Sequence, residues 1–418
     1  MKIFSRFRQT YQEFPKTFWI VVAAQFIDRL GSTLIYPFFS LYITQKFNVG
    51  MTQASLLFAI FSISGLFGSM VGGALTDKFG RKGLVLFGLV ISASSSVSMG
   101  LVNDLNIFYS LAGLVGLLSD VAGPAYQAMI ADILVEEKRS EGFGILRVAG
   151  NLAWIIGPTI GGVLASQSYL LLFVLDAISS LITAAIFFRM VPETKPEAEE
   201  GTERQSLLDT LGGYFQVASD KVYLAFVLAS MLMTIVYLQM YSTLAVYLRD
   251  VHDLPAQAFG SLLSINAGTV VIFQFWITRR VKQIPSMLLM AIGTAFYLVG
   301  FTAYGFVSTY PLFLAAMLII TFGEMIIIPV GQSLAARFAP EAMRGRYMAF
   351  YGLSWAIPSM IGSLAAGLIM DNYNPRWVWY ACGILSTLAI LGFLFLYIKT
   401  RDRFVEKTDI EKETLLVH

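Results

Sequence analysis

Long apolar runs alternate with short polar breaks along the whole chain. Runs of about 20 residues can cross a bilayer as helices. They fall at 18–44, 53–75, 84–102, 106–131, 145–165 and 169–188, and again at 223–247, 257–277, 286–306, 310–334, 348–370 and 377–398. In lipid an open chain can satisfy its backbone polar groups only within helices, so the pattern predicts an all-α membrane protein of twelve spans. The first run is too long for a cleaved leader and lacks a small-residue cleavage site, so it reads as a span. Between the sixth and seventh runs the chain turns polar and acidic, with Glu197, Glu199, Glu200 and Glu203. This stretch predicts an N-terminal six-helix bundle over 1–189, a linker over 190–221, a C-terminal six-helix bundle over 222–400 and a tail over 401–418.

Basic residues set the orientation, because Lys and Arg in short loops are retained on the cytoplasmic side. Of the 29 Lys and Arg, only Lys46, Arg249 and Arg376 fall in the loops of one face, and only Arg29 and Arg147 fall within spans. The rest lie in the termini and the loops of the opposite face. Both termini are therefore expected in the cytoplasm, with the protein in the cell (plasma or inner) membrane.

Composition agrees and narrows the chemistry. The chain is 56% hydrophobic and 13% charged, with a mean hydropathy of +0.69, far from the roughly one-quarter charged content of soluble domains. The net charge of +2 is explained by topology and gives no reason to expect a nucleic-acid partner. A single cysteine, Cys382, excludes a disulfide within the chain, and the two histidines, His252 and His418, lie in a loop and at the last residue. No metal site and no cofactor are expected, and a monomer is.

The halves repeat. Pro124, Gln127, Ala131 and Arg139 recur as Pro329, Gln332, Ala336 and Arg344 at one constant offset, which Tyr42 and Tyr247 share. Parallel repeats about an axis along the membrane normal place a binding site near the midplane. Between spans 2 and 3 lies Gly73-Ala74-Leu75-Thr76-Asp77-Lys78-Phe79-Gly80-Arg81-Lys82, a charged, glycine-flanked turn, and span 5 carries Gly157-Pro158-Thr159-Ile160-Gly161-Gly162.

These residues resemble the major facilitator superfamily. Gly73 to Lys82 match its signature loop, Gly-x-Leu-Ala-Asp-Arg-x-Gly-Arg-Lys, with Thr76 and Lys78 as departures. The span 5 run is similar to the Gly-Pro-x-x-Gly-Gly motif of its antiporters. Leu30-Gly31 and Tyr36-Pro37 in span 1, and Gly323-Glu324-Met325 in span 10, are similar to its drug:proton antiporter branch. The resemblance implies the major facilitator fold, two pseudo-symmetric bundles of six helices. It implies a latch in which Asp77 caps the start of span 11 and Arg81 pairs with Asp132, with Gly73 and Gly80 shaping the turn. It also implies that Gly157, Pro158, Gly161 and Gly162 seal spans 5 and 8. Ala112 stands where many family members carry a span 4 arginine, so the family's usual proton route does not simply transfer.

Ionisable residues within spans are costly, on the order of 2.5–3.5 kcal/mol each at a helix centre, and so point to function. Here they are Asp28, Arg29, Asp120, Arg147, Asp176 and Glu324. Gln25, Asp28, Ser32 and Tyr36 follow a helical period and form a polar face expected to look into the cavity. Asp28 and Glu324 are the candidate proton carriers, or counter-charges for a cation. Asp120 and Arg147 are candidates that a helix contact or a snorkelling role would equally explain. Tyr36, Trp154, Gln239, Tyr241, Asn266 and Trp355 would offer broad faces and few directional contacts to a lipophilic or cationic compound.

The chain therefore reads as a non-enzymatic secondary transporter, exporting lipophilic or cationic compounds in exchange for protons by alternating access. The alternatives are a carrier of one metabolite, such as a sugar, organic acid, lipid or siderophore, and more distantly a membrane-embedded lipid enzyme, for which no catalytic constellation is present. Topology is directly testable in a Cys382→Ser background. A membrane-impermeant maleimide added outside intact cells is expected to label Asn48→Cys and to spare Lys82→Cys; the reverse pattern would invert the orientation.

Overall fold

The computed structural model of the protein describes residues 11–195, 216–340 and 343–416. The linker over 190–221 and the last residues of the tail lie largely outside them. Among the described residues all regular structure is helical, and twelve helices are long and apolar enough to cross a membrane.

Span 1 runs Lys16–Lys46, span 2 Met51–Phe79, span 3 Arg81–Leu101, span 4 Leu105–Ile133, span 5 Glu136–Ala165 and span 6 Tyr169–Met190. Span 7 runs Lys221–Ser242 and continues as Leu244–His252. Span 8 is Ala256–Val281, span 9 Ser286–Ala303, span 10 Tyr310–Phe338, span 11 Arg344–Asn372 and span 12 Trp377–Leu416. Several run a turn or more past the apolar stretches, because a helix continues into the headgroup region until a residue stops it.

The stops are local chemistry. Gly80 takes φ +90°, a conformation that costs glycine little, and lets span 2 end and span 3 begin one residue apart. Asp104 caps span 4 by accepting from the amides of Asn106 and Ile107 at 2.9 and 3.0 Å. Asp220 does the same for span 7 through Val222 and Tyr223. Within span 1, Pro37 lacks an amide donor, and the helix passes through a 3-10 turn at Tyr36–Phe38.

By packing, the chain groups into two compact units. The first draws on 1–201, 241–271 and 363–371, and the second on 202–240, 272–362 and 372–418. In the first, span 1 lies against spans 5 and 6, span 2 against span 4, and span 3 against span 6. Phe18, Val21, Ala24, Ala125, Met129, Ile130 and Phe187 form a core towards the end that carries Gly80. In the second, span 9 lies against spans 10 and 12, with Tyr297, Phe301, Phe313, Ile320 and Trp379 buried.

Small residues set the closest approaches in the first unit. A Cβ on Gly157 would overlap the Thr33 hydroxyl, and one on Gly161 would stand 2.6 Å from the Leu34 carbonyl oxygen. A side chain such as Thr33 can turn away, but backbone cannot. Gly161→Val is therefore expected to destabilise the protein by about 1–3 kcal/mol, the usual cost of overpacking. Thermal unfolding in detergent would show this as a midpoint several degrees below wild type; an unchanged midpoint would contradict the packing.

Candidate functional site

The functional geometry begins at helix ends, where amides are left without partners. At the Gly80 end, the Glu193 carboxylate, just past span 6, accepts from the amides of Arg81 at 2.8 Å and Lys82 at 3.1 Å, the first residues of span 3. A Cβ on Gly80 would come within 2.6 Å of it. The Arg81 guanidinium pairs with Asp132 of span 4 at 3.0 Å, Thr194 also donates to Asp132, and Lys82 reaches the Phe188 carbonyl. The turn between spans 2 and 3 is thus tied to spans 4 and 6. Sequence reading named Arg81, Gly80 and Asp132 but missed Glu193, which it assigned to the linker.

At the opposite end, which carries Asn48, a second carboxylate does similar work. Asp371, from the close of span 11, accepts from the amides of Met51 and Thr52 at the start of span 2, at 2.8 and 2.7 Å. Beside it Gly367 lies against the Met51 carbonyl, 2.8 Å from where its Cβ would sit. Arg249 donates to Thr44 at 3.0 Å. Along span 5, Gly260 packs on the Pro158 carbonyl, a Cβ on Gly162 would meet Ala256 and Gln257 at 3.0 Å, and Thr159 donates to Ser264 at 2.6 Å. Spans 5 and 8 therefore meet backbone to backbone along this motif. Asp371 was not singled out in the sequence, where only its place at a helix end marks it.

Between these ends the first unit holds a cavity of about 370 Å³, lined from spans 1, 4 and 5 by Gln25, Arg29, Tyr126, Gln127, Arg147, Asn151 and Trp154 with apolar neighbours. Tyr126 donates to Gln25 at 3.0 Å. Trp154 meets Tyr36 edge-on at 6.1 Å and Tyr241 at 5.3 Å, so three candidate aromatics form one cluster.

Asp28 departs from expectation. It does not line this cavity; its carboxylate turns to span 6 and accepts from Ser180 at 3.0 Å. Ser180 in turn lies 3.3 Å from Ser92 of span 3, and one turn along Ser96 donates to Asp176. Adjacent residues on a helix point about 100° apart, so the face with Gln25 that meets the cavity passes through Arg29 rather than Asp28. The acids of spans 1 and 6 belong to a hydroxyl-lined contact inside the bundle, and the cavity receives the cation.

In the second unit Glu324 accepts from Tyr237 at 3.0 Å. Tyr237 stacks on Tyr297 and meets Trp355 edge-on at 5.8 Å. Gln239 is buried and donates to its own helix at Ile235, and Asn266 of the first unit is buried too. The surroundings of Gly73 and the side chains of Asp77 and Asp120 lie outside what the structure describes. Among the described residues no three His, Cys, Asp or Glu side chains come together as metal ligands.

The model of the Major Facilitator Superfamily matches residues 21–359 and 285–417. The chain belongs to the major facilitator superfamily. It is 27% identical to a Na(+), Li(+), K(+)/H(+) antiporter of Planococcus maritimus, over 92% of this chain and 96% of that protein. It is 22% identical to the multidrug resistance protein MdtH of Escherichia coli (strain SMS-3-5 / SECEC), over 90% and 94%. The crystal structure of the nucleoside transporter NupG shares the fold at 14% identity, with a TM-score of 0.75 over 92% of this chain and 99% of that one. The protein is a multi-pass, non-enzymatic membrane transporter of this superfamily, of the secondary type.

At the turn between spans 2 and 3 Glu193 carries a pH dependence. Partial burial pushes its carboxyl up, but the amides of Arg81, Lys195, Thr194 and Lys82 outweigh that and hold it below its ordinary value of 4.5. A depressed carboxylate contributes fully above its ordinary value, and the contribution is lost as pH falls through the lowered one. Hydrogen exchange should show the Arg81 and Lys82 amides protected at neutral pH and still protected somewhat below pH 4.5, with protection lost in more acid solution. Glu193→Gln should weaken protection at neutral pH, where the wild-type carboxylate is charged; wild-type protection in that variant would contradict the contact.

Proposed function

We propose that the protein is a proton-coupled antiporter of the cell membrane, exporting small lipophilic compounds by alternating access with both termini in the cytoplasm. The observation that carries the reading is Glu324, a carboxylate within span 10 held by the Tyr237 hydroxyl among Tyr297 and Trp355. A carboxylate at this depth is costly when charged and serves best as a group that takes up and gives back a proton. The superfamily relatives include both an antiporter and a multidrug resistance protein, which supports exchange as the mode.

Each half contributes a different part. The aromatic cluster of Tyr36, Trp154 and Tyr241 offers broad faces to a cargo, with the cavity of Gln25, Arg29 and Arg147 beside it. The contacts of Glu193, Arg81 and Asp132 at the Gly80 end, and of Asp371 at the Asn48 end, are ties that a transport cycle would make and release in turn. A carboxylate on a helix N-terminus contributes about 0.3–1 kcal/mol when exposed, weak enough to break in each cycle. The driving force is larger, about 2.3 kcal/mol per charge per 100 mV of membrane potential. Coupling then requires that proton and cargo favour different states, since a ligand with equal affinity for both shifts nothing.

The test is reconstitution into vesicles loaded with a pH-sensitive dye, under an imposed pH gradient, with naphthyl compounds carrying negative, neutral or positive headgroups as cargo. At least one compound is expected to drive proton movement, and Glu324→Gln to abolish it while still binding that compound. Proton movement indifferent to every compound, or unchanged in Glu324→Gln, would overturn the reading.

A further inference from the structure

Resting on the transporter reading, we propose that the cavity of the N-terminal spans is an anion subsite, and that the cargo carries a carboxylate, phosphate or sulfonate on an apolar body. Arg29 and Arg147 both line this cavity, and among the described residues no Asp or Glu does. Both are exposed to it, and neither guanidinium makes a hydrogen bond or ion pair with another described residue. The other cations facing described partners are engaged: Arg81 with Asp132, Lys138 with Glu13 and Glu141, and Arg249 with Asp250.

The neighbouring acid, Asp28, is accounted for elsewhere. Asp28 and Arg29 influence each other electrostatically, but the Asp28 carboxylate is given to Ser180. Arg29 lies near the middle of span 1, where an unpaired charge is costly, so an arginine kept there without a partner among the described residues points to an anion from outside. Two guanidinia on different helices suit a carboxylate or phosphate because each presents a planar fork of donors. Gln25, Gln127 and Asn151 supply neutral hydrogen-bonding groups at the same wall. Trp154, Tyr126 and Phe143 supply the apolar face for the body of the molecule.

The proposal reverses the sign expected of the cargo. It is separable from proton coupling, because binding is measured on the detergent-purified full chain with no gradient. Naphthoate and naphthyl phosphate are expected to bind saturably and raise the thermal midpoint, while naphthylmethylammonium, with the same apolar body, binds more weakly or not at all. Arg29→Gln and Arg147→Gln should each weaken naphthoate binding about tenfold or more, as expected for loss of a charged hydrogen bond. Arg29→Lys and Arg147→Lys should recover part of it.

Repeating the naphthoate titration in nanodiscs with and without phosphatidylglycerol identifies the source of the headgroup. Competition would make the natural occupant an anionic lipid headgroup, and no competition a free organic anion; both keep the anion subsite. Tighter binding of naphthylmethylammonium than of naphthoate by wild-type protein would overturn the proposal, whether or not any variant folds. So would unchanged naphthoate affinity in both glutamine variants. Failure here with compound-driven proton movement intact removes only the sign of the cargo. Anion binding without such movement removes only the coupling.

Discussion

A carboxylate placed on the open amides of a helix start is the interaction on which the rest of this structure turns. In lipid a helix satisfies its own backbone everywhere except at its ends, so the ends are where one helix can recognise another. Glu193 takes the first amides of span 3, and Asp371 those of span 2. Spans 2 and 3 are joined by a single residue, Gly80, so the two contacts hold a continuous hairpin at opposite ends. Each is directional enough to fix register yet weak enough to be remade. Stronger apolar packing along the bundle could not serve, since burying large side chains would cost too much to undo on every cycle.

The same economy appears in how charge is divided within the first unit. Asp28 and Arg29 are neighbours in sequence and go separate ways, one to the hydroxyls between spans 1, 3 and 6 and the other to the cavity. The bundle interior keeps Asp28 and Asp176, where serines satisfy them, and the cavity keeps Arg29 and Arg147, where no other described residue does. In the second unit Glu324 is met by the Tyr237 hydroxyl.

Much of this was legible in the sequence because the relevant signals are long. Twelve apolar runs have no other reading, the basic residues sort to one face, and a ten-residue signature from Gly73 to Lys82 suffices to identify the superfamily. The Arg81 and Asp132 partners could be named from that likeness. What the sequence hid depends on rotation about a helix axis. Gln25, Asp28, Ser32 and Tyr36 fit a helical stripe, but so do Gln25, Arg29, Ser32 and Tyr36, and a period of 3.6 residues does not choose between them. The sign of the cavity hangs on that choice. Glu193 and Asp371 were hidden for another reason: each caps a helix distant in sequence, and a lone acid just past a helix end carries no mark of the amides it will meet.

The central claim is that proton and cargo compete for different states of one molecule. It is tested most directly by measuring protons released when a saturating compound is added to the purified protein in weakly buffered detergent, across the neutral-to-acid range. Linkage requires that a cargo favouring the deprotonated state expel protons on binding. The account predicts net release that peaks where the coupling carboxylate is partly protonated and that disappears in Glu324→Gln while the compound still binds. Binding with no release at any pH, or with proton uptake, would contradict it.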